Sequence, residues 1–229
     1  MKGTVWSFFD GSGLAVIDYA EAGYACFCFN ADSGDHGEYE IKMRHPNITY
    51  VNCWIDENTD PAGHWLDLCH EIGKPDIIFA FPPCTHLAGS GGKHEREVSD
   101  MEQAVLNAKH IEELGNKYNC PWYVENPVGK MSTLWRKPDY YFDPYEYGGY
   151  LKREEGSFHP KMPLQDAYTK KTCLWAGNGF IMPDKKPVEH IGFFWGWKYL
   201  GGKSMKTKQL RSLTPRGFAR AVFKFNHKV

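Results

Sequence analysis

No run of some ~18 consecutive apolar residues, the length a bilayer span needs, occurs anywhere in the 229 residues. No basic leader precedes an apolar stretch at the N-terminus either, so the expectation is a soluble, cytoplasmic protein with no membrane partner. Cysteine pairs spaced as redox motifs or metal ligands are missing. The seven cysteines, at positions 26, 28, 53, 69, 84, 120 and 173, are odd in number and scattered, which fits thiols in a reducing compartment and argues against a disulfide framework. Cys26 and Cys28 alternate within an apolar stretch and read as small core residues, and no metal is expected. Internal repeats and low-complexity tracts are absent too. What remains is a composition, 42% hydrophobic and 24% charged, suited to one globular domain over 1–229, expected as a monomer.

Acidic residues stop at Glu189. Beyond it Lys198, Lys203, Lys206, Lys208, Arg211, Arg216, Arg220, Lys224 and Lys228 supply nine cations, so the remaining 18 basic residues face all 28 acidic ones in the first part of the chain. Clustered cations release condensed counterions when they meet phosphates, and a polyanion is the expected partner of a basic C-terminal segment, 177–229. Lys203, Lys206, Lys208, Arg211 and Arg216 are its candidate nucleic-acid contacts, joined by Ser90, Lys93, Lys170 and Lys171 from earlier in the chain. The alternative for any of them is a solvated basic surface.

The apolar stretch from Thr4 to Phe9 runs into Asp10-Gly11-Ser12-Gly13, and a helical pattern follows through Leu14, Ile17, Ala20 and Ala22 to Gly23. This predicts a strand, a glycine turn and a helix. Further strands are predicted from Tyr24 to Phe29, closing on Asn30 and Asp32, from Ile48 to Ile55, closing on Asp56, and from Ile77 to Phe81, bounded by Pro82-Pro83. A helix is predicted between Asp100 and Leu114, and a fifth strand from Trp122 to Val124, just before Glu125. Strands alternating with helices imply an α/β fold with a largely parallel, doubly wound sheet. Residues 138–170 are rich in Tyr, Pro, Gly and charge without periodicity, and are predicted to be an irregular insertion. Ligands of open α/β sheets bind beyond the carboxyl ends of the strands, so Asp10, Asp32, Asp56, Cys84 and Glu125 are expected to converge on one rim.

Each of these segments suggests a role. Phe9 to Gly13 lets backbone approach a ligand closely, but Val16 stands where a dinucleotide fingerprint needs a third glycine. Asp32 suits a ribose hydroxyl pair and Asp56 an adenine amine, although both also suit turns and caps. Pro82 and Pro83 stiffen the support of Cys84, and Ala88-Gly89-Ser90-Gly91-Gly92 reads as the hinge of a closing loop. Glu125, partly desolvated, could hold a proton near neutral pH and deliver it to a ring nitrogen. The aromatic run from Phe193 to Trp197 offers either core or stacking faces.

Together, Phe9-Asp10-Gly11-Ser12-Gly13, Pro82-Pro83-Cys84 and Glu125-Asn126-Pro127 resemble the cofactor loop, nucleophile motif and acid motif of the cytosine-C5 DNA methyltransferase family. The likeness is closer to its small phage and bacterial members, through Glu125-Asn126-Pro127-Val128-Gly129, Trp135-Arg136-Lys137-Pro138-Asp139 and Lys171-Thr172-Cys173-Leu174-Trp175. The resemblance implies a Rossmann-like fold holding S-adenosylmethionine, with S-adenosylhomocysteine as product, through Phe9 to Gly13, Asn30, Asp32, Ile55, Asp56 and Pro82. It further implies that Cys84 adds to cytosine C6, that Glu125 protonates or hydrogen-bonds N3, and that Asn126 orients Glu125. Duplex DNA with a flipped cytosine is the implied partner. The family's Gln-x-Arg-x-Arg stretch has no counterpart beyond Lys170 and Lys171, and its large recognition region is cut to short segments. RNA or a cytosine nucleotide is therefore the alternative substrate, and a silent nucleic-acid-binding relative the alternative class. Arg211-Ser212-Leu213-Thr214-Pro215-Arg216 resembles either the family's Arg-x-Leu-Thr-Pro-Arg segment or, with the helix after it, a last motif beside the cofactor loop.

Overall fold

Side chains alternate across a strand, so a run apolar at every position must be covered on both faces. A computed structural model describes residues 2–34, 36–61, 72–85, 87–88, 98–202 and 204–228. Among the described residues the strands are β1 (Thr4–Phe8), β2 (Ala25–Asn30), β3 (Ile48–Asn52), β4 (Ile77–Ala80), β5 (Trp122–Pro127), β6 (Tyr140–Phe142) and β7 (Thr172–Gly177). They form one sheet in the order β3-β2-β1-β4-β5-β7-β6. The first five are parallel, and β7 runs antiparallel to both β5 and β6. Strand order reverses between β1 and β4, which makes their carboxyl ends the switch point where such sheets take ligands.

Two cores follow from the alternation. On one face Trp6, Phe8, Ile78, Ala80, Trp122, Val124 and Trp175 pack with Met101, Ala104, Ala108, Ile111 and Leu114 of helix α2 (Val98–Tyr118). On the other, Val5, Ile77, Phe79, Tyr123 and Leu174 meet Tyr19 and Ala20 of α1 (Ile17–Glu21) and Phe218, Ala221 and Val222 of α6 (Arg216–Asn226). Shorter helices α3 (Met131–Leu134), α4 (Trp195–Tyr199) and α5 (Met205–Ser212) lie between β5 and α6 in the chain. The predicted doubly wound α/β architecture is the one observed. No helix among the described residues is long and apolar enough to cross a membrane.

Three expectations change. Residues 138–170 are not wholly irregular: residues 140–142 form the edge strand, and a short 3-10 helix, Pro144–Tyr150, packs on α6, with Phe142 stacked on Phe218 at 4.0 Å. The fifth strand extends to Pro127 because β7 pairs with it throughout, so Glu125 and Asn126 sit within the ladder opposite Leu174 and Cys173. Finally, four of the nine C-terminal cations meet carboxylates from earlier in the chain. Lys206 pairs with Glu40 at 3.0 Å, Arg220 with Asp18 at 3.1 Å and Glu155 at 2.7 Å, Arg216 lies 3.9 Å from Asp166, and Lys228 pairs with Asp76. The charge asymmetry along the sequence is thus partly cancelled by folding.

Asp166 illustrates the cost of that arrangement. It is fully buried, takes the left-handed region at φ 49°, and accepts the Gly217 N–H at 3.0 Å in the first turn of α6. Burial pushes its carboxyl up, and the Gly217 amide and Arg216 pull it back. Asp166→Ala is expected to lower the unfolding free energy by about 3 kcal/mol, because buried donors lose their acceptor. A thermal melt checks this, and an unchanged midpoint would contradict it.

Candidate active site

The carboxyl ends of the five parallel strands open on one cleft of about 1190 Å³. Phe9, Asp10, Gly11 and Ser12 line it from the end of β1, Asn30 and Ala31 from β2, Trp54 and Ile55 from beyond β3, Pro82, Pro83 and Cys84 from beyond β4, and Glu125 and Asn126 from β5. Lys170, Lys171, Phe194 and Trp197 also line it, followed by Thr207, Lys208, Arg211 and Ser212 of α5.

The β1 turn is built around Asp10. Its carboxylate, 3% exposed, accepts the N–H groups of Ser12 at 3.0 Å and Gly13 at 2.7 Å and the hydroxyls of Ser7 at 2.9 Å and Ser12 at 3.0 Å. Burial raises its pKa and these donors offset the rise. Asp10 therefore acts on the turn itself. The turn carries strain, with Phe9 at φ 58°, a conformation costing a non-glycine residue about 1 kcal/mol. At Gly11 a Cβ would stand 2.2 Å from the Tyr39 ring, so only glycine lets that ring close over the turn.

Tyr39 belongs to a strap that sequence patterns did not reveal. Gln209 of α5, 2% exposed, donates to the carbonyls of His36 at 2.9 Å and Glu38 at 2.6 Å and accepts the Glu40 N–H at 3.0 Å. The Tyr39 hydroxyl meets Ser212 Oγ at 2.9 Å. Burial pushes the Tyr39 phenol up to about 12, the hydrogen bond with Ser212 opposes the rise, and the nearby Asp10, Cys84 and Asp32 add to it. The same ring thus feels groups from the ends of three strands. With Ser212 meeting the Tyr39 hydroxyl over the β1 turn, and Leu210 and Leu213 sharing a core cluster with Leu14 just beyond it, α5 and its exit lie on the glycine-turn side of the cleft. Such long-range polar contacts have no periodic signal in a sequence.

The nucleophile candidate and the acid candidate are held together. Asn126, 1% exposed, donates from Nδ2 to the Pro82 carbonyl at 2.9 Å, which fastens the Pro-Pro-Cys segment to β5. Beyond Cys84 the chain makes a tight turn, with the Cys84 carbonyl accepting the N–H groups of Leu87 at 3.1 Å and Ala88 at 2.9 Å. Glu125 keeps some opening to the cleft but is densely surrounded by protein. Burial pushes its carboxyl up, while the Lys170 ammonium and a hydrogen bond from Thr172 hold it down. Lys170 is itself fixed, donating from Nζ to the Arg211 carbonyl at 2.9 Å.

Other expected site residues stand apart. Gly13, Asp32 and Asp56 are not among the lining residues. Asp32 pairs with Lys42 at 3.6 Å and accepts Asn30 Nδ2 at 3.0 Å; Asp56 accepts the Asn58 N–H at 2.8 Å in a tight turn. Lys206 faces Glu40 outside the cleft. Arg216 is turned inward, with Nη2 donating to the Gly156 carbonyl at 2.8 Å, because the buried Asp166 beside it needs a counter-charge. Arg211 lines the cleft, yet its Nη2 donates to the carbonyls of Gly196 at 3.2 Å and Leu200 at 2.7 Å, bracing α4. Ser90, Lys93 and Lys203 lie outside the described residues, as does Gly89 to Gly92 of the glycine-rich run. Conversely Trp54, 71% exposed, and Trp197, 66% exposed, add aromatic faces to the cleft. Trp54 was findable from its place beyond an apolar strand, next to Ile55.

Among the described residues no group of three or more His, Cys, Asp or Glu is arranged to hold a metal. Two buried polar atoms on lining residues, Asn126 Oδ1 and Arg211 Nε, have no hydrogen-bond partner among the described residues. A bound molecule offering a donor and an acceptor would satisfy them. The apolar faces of Phe9, Trp54 and Ile55 beside the polar β1 turn fit a molecule that joins a flat base to a charged chain, as an adenosyl amino acid does.

No protein-family model matches the sequence, and no curated protein matches it. Among solved structures the chain is similar to a candidate DNA modification methyltransferase encoded within a prophage of E. coli, with 15% identity and a TM-score of 0.47. The match covers 81% of this chain and 52% of that one, so this chain spans about half the length of that relative. It is also similar, over 51% of its length and 36% of the other chain, to the Bordetella bronchiseptica enzyme WbmH solved with NAD+, at 17% identity and a TM-score of 0.30.

Proposed function

We propose that this protein is an S-adenosylmethionine-dependent methyltransferase that modifies carbon 5 of cytosine in DNA. The observation that carries the reading is the meeting of three strand ends in one cleft: the Asp10-centred turn, the proline-braced Cys84 and the half-buried Glu125. Cytosine carbon 5 is a weak nucleophile. Addition of the Cys84 thiolate to carbon 6 makes it enamine-like, and a proton from Glu125 to N3 takes up the charge that the addition pushes into the ring. Asn126 keeps the two reacting groups in register by holding the Pro82 carbonyl. S-adenosylmethionine, when bound, supplies the electrophilic methyl group, and Phe9 to Ser12, Asn30, Trp54, Ile55 and Pro82 are the residues that would hold it. Loss of the carbon-5 proton to water then expels Cys84 as a thiolate, the N3 proton returns to Glu125 and S-adenosylhomocysteine leaves, so no group on the protein remains altered.

DNA is favoured as substrate because Lys170, Lys171 and Lys208 line the same cleft as the exposed Trp197, so that cations and a stacking face share it. A cytosine inside a duplex is shielded by stacking, so the target base is flipped into the cleft. Incubation with labelled S-adenosylmethionine and, separately, duplex DNA, single-stranded DNA, RNA and deoxycytidine nucleotides tests this. Label in duplex DNA, recovered as 5-methylcytosine, is expected. Label confined to RNA or nucleotide would replace the substrate, and no label anywhere would contradict the reading.

A further inference from the structure

We infer that Gly129 is a positioning residue for Cys84, setting the nucleophile turn from its far end as Asn126 sets it from the near one. The inference rests on the proposed reaction only for the meaning of the turn; the geometry stands by itself. Gly129 bridges Ala88 in an antiparallel pair, and the Lys130 N–H donates to the Leu87 carbonyl at 2.9 Å. Leu87 and Ala88 are the two residues whose N–H groups close on the Cys84 carbonyl. Any shift of 87–88 is therefore transmitted to the cysteine through two hydrogen bonds.

Glycine is required there by contact. A Cβ at position 129 would stand 2.1 Å from the Leu87 carbonyl oxygen, 2.9 Å from its carbon and 3.0 Å from the Ala88 Cα. All three are backbone atoms, so no side-chain rotation relieves the clash. The backbone of 87–88 must retreat, or the exit of β5 must. Ser132 donates to the Gly129 carbonyl at 3.0 Å and fixes the exit to α3, which leaves the nucleophile turn as the part that yields. Nucleophile and acid are thereby tied to one strand at both ends of the turn, at Pro82 and at Leu87.

The test compares wild type with Gly129→Ala by two independent measurements. In the first, kcat for methyl transfer to duplex DNA is expected to fall about a hundredfold, as for a misplaced reacting group, with KM for DNA and for S-adenosylmethionine unchanged. In the second, the alkylation rate of Cys84 by iodoacetamide, followed by peptide mass spectrometry across pH in protein shown by circular dichroism to be folded at the assay temperature, is expected to change several-fold. Lys130→Pro is a second variant, since Lys130 already holds φ −69° and loses only its N–H to the Leu87 carbonyl. It decides the matter if Gly129→Ala does not fold, and is expected to act in the same direction more weakly. Wild-type kcat and alkylation in the folded variants would overturn the inference. If wild-type protein transfers no methyl group, the reaction fails as a reading, and the alkylation comparison still decides the role of Gly129.

Discussion

Replacing Cys84 by serine is expected to abolish methyl transfer, by about 10⁵-fold in kcat, while S-adenosylmethionine and DNA still bind. The size follows from the chemistry of the first step. A serine hydroxyl is almost never ionised at neutral pH, and without addition at carbon 6 the neighbouring carbon does not become electron-rich. Nothing else in the cleft replaces the sulfur among the described residues: Cys26, Cys28, Cys120 and Cys173 are buried in the cores, and burial pushes their thiols up. The backbone held by Asn126 and Gly129 is untouched, so the melting temperature should stay within a few degrees. Transfer at a hundredth of the wild-type rate or better would contradict covalent catalysis by Cys84.

Glu125→Gln is expected to lower kcat by about 10³-fold, since proton transfer in the transition state contributes on the order of 10²–10⁴. Its pH dependence has a definite sign. Burial raises the folded pKa above the unfolded value near ~4.3, with Lys170 and Thr172 opposing. The protonated form is therefore present at low pH and lost as pH rises through the raised value, which sets the alkaline limb of the kcat profile, while the need for a Cys84 thiolate sets the acid limb. Stability linked to the same proton is complete below the unfolded pKa and disappears as pH rises through the folded one. Lys170→Met removes the main opposing charge, so the alkaline limb of the kcat profile should move to higher pH. A limb that stays in place, or moves to lower pH, would show that Glu125 is not the acid.

The parts of this architecture legible in the sequence are those with local causes. β1, β2, β4 and α2 announce themselves by apolar alternation or helical periodicity, and Asp10, Cys84 and Glu125 by polar residues set against apolar runs. β7 escaped because Thr172–Gly177 is short and is stabilised by pairing with β5, some fifty positions away. The lengthening of β5 has the same cause. Tyr39 and Gln209 escaped because a buried amide satisfied by the strap from His36 to Glu40 depends on contacts about 170 positions apart, with no pattern to betray them. Charge misled for a related reason. Arg220 and Asp18, or Lys228 and Asp76, are far apart in the chain and adjacent in space, so a tail that looks basic in one dimension is partly neutral in three. Asp32 and Asp56 follow apolar strands as Asp10 does, yet their carboxylates serve an ion pair and a turn. Position at a strand end places a residue near the rim and does not decide whether it lines the cleft.

The most direct measurement uses duplex DNA carrying 5-fluorocytosine, whose fluorine cannot leave as a proton does, incubated with the protein and S-adenosylmethionine. A protein–DNA adduct stable to denaturation, mapped by mass spectrometry to the peptide containing Cys84 and carrying one added methyl group, is the predicted result. Efficient methylation of unmodified cytosine with no adduct on the fluorinated strand, or an adduct on a different residue, would contradict it.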